Sequence, residues 1–275
     1  MTALLPELPK AGFCFENFQR NEMLKSKGMC VPKMTKTGTT IVGICLKDTI
    51  ILGADTRATA GDIIATKKCE KIHYLNPNMR ACGAGTAADN DYVTRMLSSQ
   101  LELHRLNTGK PVPVVAAVRM VRQYLFRYQG YVGAAMIIGG VDNSGPHLYA
   151  ISPHGCSSKA PYVAYGSGSL AAYACLEANW KDNMTVEEGT KLVRDAIAAG
   201  IFNDLGSGNN IDICIITKAG VDMKRAYEEA CVKGKRIGNY LFKPGTTAIL
   251  SRQEIPLEVE EVIVRHFEEK MDTSA

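Results

Sequence analysis

Short β-branched runs separated by polar turns fill the chain from residue 39 onward, interrupted twice by pairs of longer segments with helical periodicity. Thr39–Leu46 and Ile50–Asp55 flank Lys47-Asp48-Thr49 and read as a hairpin. Ile63–Thr66 and Lys71–Leu75 are further short strands, followed by an Asn-Pro-Asn turn and a strand over Met79–Cys82. The first helix runs from Thr86 to about Leu106, with Tyr92, Met96 and Leu103 toward one face, and Asn107-Thr108-Gly109 stops it. A second covers Val114–Tyr128, opening after Pro113 and closing at Gly130. Strands over Ala134–Val141, His147–Ser152 and Tyr162–Tyr165 lead to helices over Leu170–Trp180 and Thr185–Phe202. Thr185 and Glu188 form the two halves of a capping box at the start of the last helix. Ile211–Thr217 is the strand expected to close the core.

Hairpins without regular βαβ alternation predict antiparallel or mixed sheets, and two helix pairs need two faces to cover. Two stacked sheets between two helical layers meet both demands, an α+β architecture. Residues 1–36 differ: Pro6, Pro9 and Pro32 stand among mixed charges without a sustained period, which reads as a poorly ordered leader. Beyond about residue 222 the chain turns polar. Gly245–Ala275 is rich in carboxylates and too long for a frayed end; an arm packed on a neighbour and a solvated tail are both open.

Composition narrows the class. The 275 residues, 46% hydrophobic and 22% charged, suit an ordinary globular core. A net charge of +4 without a dense Lys/Arg run gives no case for nucleic acid. No stretch approaches a membrane span, and the first thirty residues lack a signal-peptide core, so no membrane partner is expected. Nine single cysteines, with no CxxC, point to a reduced compartment rather than a disulfide framework or zinc site. The five histidines are too scattered to ligate a metal, and no cofactor is implied. Asn183-Met184-Thr185 fits the glycosylation pattern and is read as chance.

Several clusters carry candidate chemistry. Gly83-Ala84-Gly85-Thr86-Ala87-Ala88 matches a dinucleotide fingerprint, with Glu102 near the acidic position, but a helix rather than a strand follows. Glycines at such a strand-to-helix turn also let backbone N–H groups face a reacting oxygen. Lys36-Thr37-Gly38-Thr39-Thr40 lies where the leader ends and the first strand begins. An N-terminal threonine can be activated by its own α-amine, of pKa about 7.7–8.0, without a histidine. Asp55 and Arg57, in Gly53-Ala54-Asp55-Thr56-Arg57, could be a surface pair at a turn and Lys71 a solvated lysine; buried together, Asp55 and Lys71 would instead compensate one another. Gly166-Ser167-Gly168 and Asn203-Asp204-Leu205-Gly206-Ser207-Gly208 are loops whose hydroxyls and carboxylate suit an ammonium or a water.

Together, KTGTTI, LGADTRAT, KIH, CGAGTAAD, LFRYQGY, GGVD, PHG, GSGS and AAGIFNDLGSGNNID resemble the proteasome catalytic β subunits, from about Gly12 to the C-terminus. The trypsin-like branch, beta types 7 and 10, is the most similar; the leader leans to one type and the closing Met271-Asp272-Thr273-Ser274 to the other. The resemblance implies the four-layer αββα sandwich of N-terminal nucleophile hydrolases. It also implies a propeptide, residues 1–38, removed autocatalytically between Gly38 and Thr39, and a domain over 39–275 whose extension from about 240 packs on a neighbouring subunit. Thr39 corresponds to the nucleophile, Asp55 and Lys71 to its charged partners, Ser167, Asp204 and Ser207 to the supporting set, and Gly85 to the oxyanion-hole donor. Ala58, Thr59, Cys69, His73, Gly83, Ala87 and Asp91 correspond to the substrate pocket. Gly83 would keep that pocket deep and Asp91 would make its far end negative, so cleavage after basic residues follows.

Implied partners are the other α and β subunits in stacked rings and polypeptide substrates: unfolded, ubiquitin-targeted proteins, with antigen-presentation peptides among the products, in cytoplasm and nucleus. Two rivals stand beside this reading. One is a catalytically silent structural β subunit, though such relatives typically lack the threonine or the lysine. The other is an N-terminal nucleophile amidohydrolase acting alone, against which the basic-selective pocket and the C-terminal arm both weigh.

Overall fold

The computed structural model describes residues 16–29, 38–235, 237–238, 241–243, 245–246 and 248–258. Pro6, Pro9, Pro32, Lys36-Thr37 and the closing Met271–Ser274 lie outside the described residues. The chain divides into two units, 1–233 and 234–275, and the described part of the second carries no helix or strand.

The first unit holds two five-stranded antiparallel sheets. One is built from β1 (Ile41–Cys45), β2 (Thr49–Asp55), β10 (Tyr162–Tyr165), β11 (Asn210–Thr217) and β12 (Gly220–Glu229), in the order β10-β1-β2-β11-β12. The other orders β5 (Ile72–Asn76), β6 (Met79–Gly85), β7 (Ala134–Asp142), β8 (Gly145–Ile151) and β9 (Ser157–Lys159) in sequence. A separate hairpin pairs β3 (Ala58–Ala60) with β4 (Ile63–Thr66). Helices α2 (Ala87–Thr108) and α3 (Val114–Arg127) cover the second sheet, and α4 (Ser169–Asn179) and α5 (Val186–Asn203) cover the first.

Side-chain alternation explains the layers. On β2, Ile50 and Leu52 face the opposite sheet while Ile51 faces α5; on β7, Ile137 faces the opposite sheet while Met136 and Ile138 face the α2–α3 pair. Strands sealed on both faces read as continuous apolar runs, and β2 is buried along its whole length. This is the expected four-layer sandwich, and the capping box forms: Glu188 N donates to Thr185 Oγ1 at 3.2 Å and Thr185 N to Glu188 Oε2 at 2.8 Å.

Several expectations need correcting. Within the described part of the leader, Glu16–Ser26 is a helix, α1, with Glu16 in its first turn and Lys25 in its last, as the helix dipole favours. It lacks an apolar stripe, so hydrophobic periodicity could not reveal it. On α2, Tyr92, Met96 and Leu103 are not the core face; Asn90, Val93, Thr94, Leu97 and Leu101 are, while Tyr92 and Leu103 are each 60% exposed. The core face spends two positions on polar residues, which misled the apolar pattern. β11 supplies core residues on both faces, as expected of it, but it is not the edge of its sheet. The polar β12 pairs along its outer edge, and charges such as Asp222, Lys224 and Glu228 suit an edge strand. The first strand starts at Ile41 rather than Thr39, because Thr40 turns its N–H to the Asp55 carboxylate.

Candidate active site

The fold gathers one end of both sheets into a single cluster, in which Thr39, Asp55, Lys71 and Ser207 are buried, Asp204 is partly buried and Ser167 is exposed. Thr39 precedes β1, Asp55 ends β2, Lys71 precedes β5, Ser167 lies between β10 and α4, and Asp204 and Ser207 lie between α5 and β11. Because β1 and β2 pair with Ile41 opposite Ala54, Thr40 faces Asp55, and Asp55 N donates to Thr40 O at 3.1 Å.

Asp55 is wholly buried and fully employed. Its carboxylate accepts from Lys71 Nζ at 2.7 Å, Thr40 N at 2.9 Å, Gly208 N at 3.1 Å and Arg57 N at 3.2 Å. Those four donors replace the water lost on burial, which makes a buried carboxylate tolerable. Lys71, 5% exposed, directs its three N–H bonds to Asp55, to Thr39 Oγ1 at 3.0 Å and to Gly38 O at 3.4 Å. The Thr39 hydroxyl therefore accepts from the ammonium and donates to Gly38 O at 2.6 Å. Gly38 is held in turn by Thr59 Oγ1, which accepts its N–H at 3.0 Å.

A second chain of bonds supports the Thr39 nitrogen. Thr39 N donates to Ser167 Oγ at 3.0 Å, and Ser167 and Ser207 each donate to Asp204 Oδ2 at 2.6 Å. Since the Ser207 proton goes to Asp204, the 2.7 Å contact between Ser207 and Thr40 has the Thr40 hydroxyl as donor. Burial alone would raise the Asp204 carboxyl. The Ser167 and Ser207 hydroxyls, the Gly206 N–H and the Lys71 charge outweigh it and hold the carboxyl below its usual value.

Close backbone approaches fix two glycine requirements here. A Cβ on Gly38 would stand 2.0 Å from Gly206 Cα, so the residue before Thr39 has no room for a side chain. Gly85 adopts φ +106°, where a Cβ would meet Gly133 O at 2.3 Å.

Two of the expected pocket residues line one open cleft. His73 and Asp91 share an open cleft of about 730 Å³ with Glu70, Tyr74, Arg95 and Glu102; Ala58, Thr59, Cys69, Gly83 and Ala87 are not among its lining. Burial lowers the His73 pKa despite the opposing Asp91 and Glu70 charges, and burial raises the Cys69 thiol. Asp91 is not a bare charge: Arg95, one turn on, pairs with it at 3.0 Å at the surface. Glu102 binds Arg105 at 2.6 Å, and α2 is followed by α3, so the fingerprint lacks its Rossmann context.

Arg57 was open to reading as a surface partner of Asp55. Instead its guanidinium bonds Asn209 Oδ1 and Leu205 O, both at 2.9 Å, and clasps the loop that carries Ser207. Thr40 was likewise not singled out, although it stands next to Thr39.

Two family profiles match the chain: Proteasome subunit over residues 35–216 and Proteasome beta subunits C terminal over 230–264. The chain belongs to the proteasome β-subunit family. This β subunit is 51% identical to proteasome subunit beta type-7-B of Arabidopsis thaliana, covering 93% of each chain. It is 51% identical to proteasome subunit beta type-10 of Bos taurus, over 92% of this chain and 93% of that one. The Dictyostelium discoideum beta type-7 subunit is 49% identical, over 94% and 97%. The four-layer sandwich of this subunit is the N-terminal nucleophile hydrolase fold of that family.

Proposed function

We propose that this β subunit is a threonine endopeptidase of the proteasome core, with Thr39 as nucleophile and a preference for cleavage after basic residues. The observation that carries the reading is the buried Thr39–Lys71–Asp55 chain, with contacts of 3.0 and 2.7 Å. A structural subunit has no use for a buried ammonium aimed at a threonine hydroxyl.

Two reactions follow. In maturation the Thr39 oxygen adds to the Gly38 carbonyl carbon and its proton passes to the Thr39 nitrogen. The C–N bond breaks, and water hydrolyses the resulting ester, freeing residues 1–38 as a carboxylic acid. The glycine demanded at residue 38 and the Lys71 contact to its carbonyl support that step. Thr39 then carries a free α-amine, which Ser167, itself bonded to Asp204, would hold.

In turnover the hydroxyl attacks a substrate carbonyl while the α-amine takes its proton, and Lys71 favours the developing alkoxide. The Gly85 N–H would receive the oxyanion. The departing amine takes up the proton, and a water deprotonated by the same α-amine releases the acyl group.

Ala58, Thr59, Cys69, His73, Gly83, Ala87 and Asp91 would line the substrate pocket. The Asp91–Arg95 pair is exposed, and such pairs contribute little, so a substrate guanidinium can displace Arg95. The remaining partners are other α and β subunits, with the segment beyond about residue 240 packing on a neighbour, and the particle works in cytoplasm and nucleus. Peptides carrying Arg, Glu or Leu before the scissile bond test the reading in the assembled particle. Wild type should cut the Arg peptide best, and Thr39→Ala in this subunit should abolish that cut. Undiminished Arg-peptide cleavage by Thr39→Ala would sink it.

A further inference from the structure

We propose that Asn90 is a positioning residue that sets the direction of the Gly85 N–H. The proposal rests on the reading above, in which that N–H meets the reacting oxygen. Asn90 lies in the first turn of α2 and is 4% exposed. Its Nδ2 donates to Ala84 O at 3.1 Å and to Thr86 O at 3.0 Å, the carbonyls on either side of Gly85. Both acceptors are carbonyl oxygens, so the amide nitrogen is the end that must face them.

The Ala84 carbonyl and the Gly85 N–H belong to one planar trans peptide unit and point in opposite directions. A bond that holds the oxygen therefore holds the N–H on the other side. The second bond ties the amide to the helix frame, since Thr86 O also accepts the Asn90 backbone N–H at 3.1 Å. The far side of the turn is fixed independently: Thr86 N donates to Gly133 O, and Gly133 N to Asp89 Oδ2, each at 2.8 Å.

Packing alone does not account for an asparagine here. Its Oδ1 is buried with no hydrogen-bond partner, which is unfavourable, and it occupies the space over Gly83, where a Cβ would stand 2.7 Å away. An apolar residue would fill that space without the penalty but could not hold the Ala84 carbonyl.

Asn90→Asp and Asn90→Ala in the assembled particle test this. Asp keeps the shape and replaces the donor with an acceptor that repels both carbonyls; Ala removes the group. Losing an oxyanion donor outright costs about 10²–10³ in kcat, so misaiming one should cost about 10–100-fold, with KM changed less than about threefold. A peptide aldehyde, whose adduct with Thr39 carries the oxyanion, should weaken by the same factor as kcat. The matching peptide alcohol, which forms no adduct, should bind as before.

Unchanged kcat in either assembled variant would overturn the proposal, as would equal weakening of aldehyde and alcohol. Failure of both variants to assemble would also overturn it, because Asn90 would then serve the fold itself. If Thr39→Ala remains active, the nucleophile assignment fails instead, which separates the two outcomes.

Discussion

At the residue scale, the cluster around Thr39 is two linked networks, and each charge in it has an assigned counterpart. Asp55 balances Lys71 inside the protein, while Asp204 gathers two serine hydroxyls and the Gly206 N–H nearer the surface. The Asp204 pKa is lowered in the fold, so its contribution to stability is complete above the ordinary carboxylate pKa and disappears as pH falls through the lowered value. Melting temperature followed from pH 7 to pH 3 should therefore drop in acid, and Asp204→Asn should flatten that drop while lowering the plateau. An identical acid limb in the variant would remove Asp204 from the account. Much of this cluster was legible only through the family resemblance, whose motifs contain Gly38-Thr39, Asp55, Lys71, Ser167, Asp204 and Ser207; read singly, these residues left their roles open. What was not legible depends on contacts across long separations: the Thr40 hydroxyl on Ser207, the Arg57 clasp on the 205–209 loop, and Asn90 over Gly83. Side-chain identity alone does not reveal which way an arginine or asparagine turns.

At the scale of elements, the strands were easier to read than the faces of the helices. A strand sealed between layers, such as β2, writes a continuous apolar run. By contrast, α2 buries Asn90 and Thr94 and exposes Tyr92 and Leu103, so its pattern pointed to the wrong side. The same logic hid α1, whose sequence repeats no apolar stripe, and β12, whose inward Val221 and Met223 are only partly buried. Burial energy resides elsewhere, in the interface between the sheets. Ile137 on β7 is fully buried there beside Leu52, Cys82 and Leu148. Ile137→Ala should cost about 2–5 kcal/mol, the range for deleting such side chains from close-packed cores. Denaturant unfolding of this subunit would measure it, and a loss under about 1 kcal/mol would mean that the sheets can close over the gap.

At the scale of the molecule, the two sheets divide the labour. The sheet containing β1 and β2 supplies Thr39 and Asp55, and the sheet containing β5 and β6 supplies Lys71 and Gly85. Sliding one sheet over the other would separate the hydroxyl from the ammonium, so the apolar layer between them also sets the geometry of the chemistry. The proposed maturation turns on one bond, Gly38–Thr39, whose glycine packs on Gly206 and whose carbonyl lies within reach of the Thr39 hydroxyl and Lys71. Intact-mass measurement of this subunit from the assembled, active particle tests it directly. The chain should have lost residues 1–38 and begin at Thr39. An active particle in which this subunit is shown to cut peptides while still carrying Gly38 would contradict it.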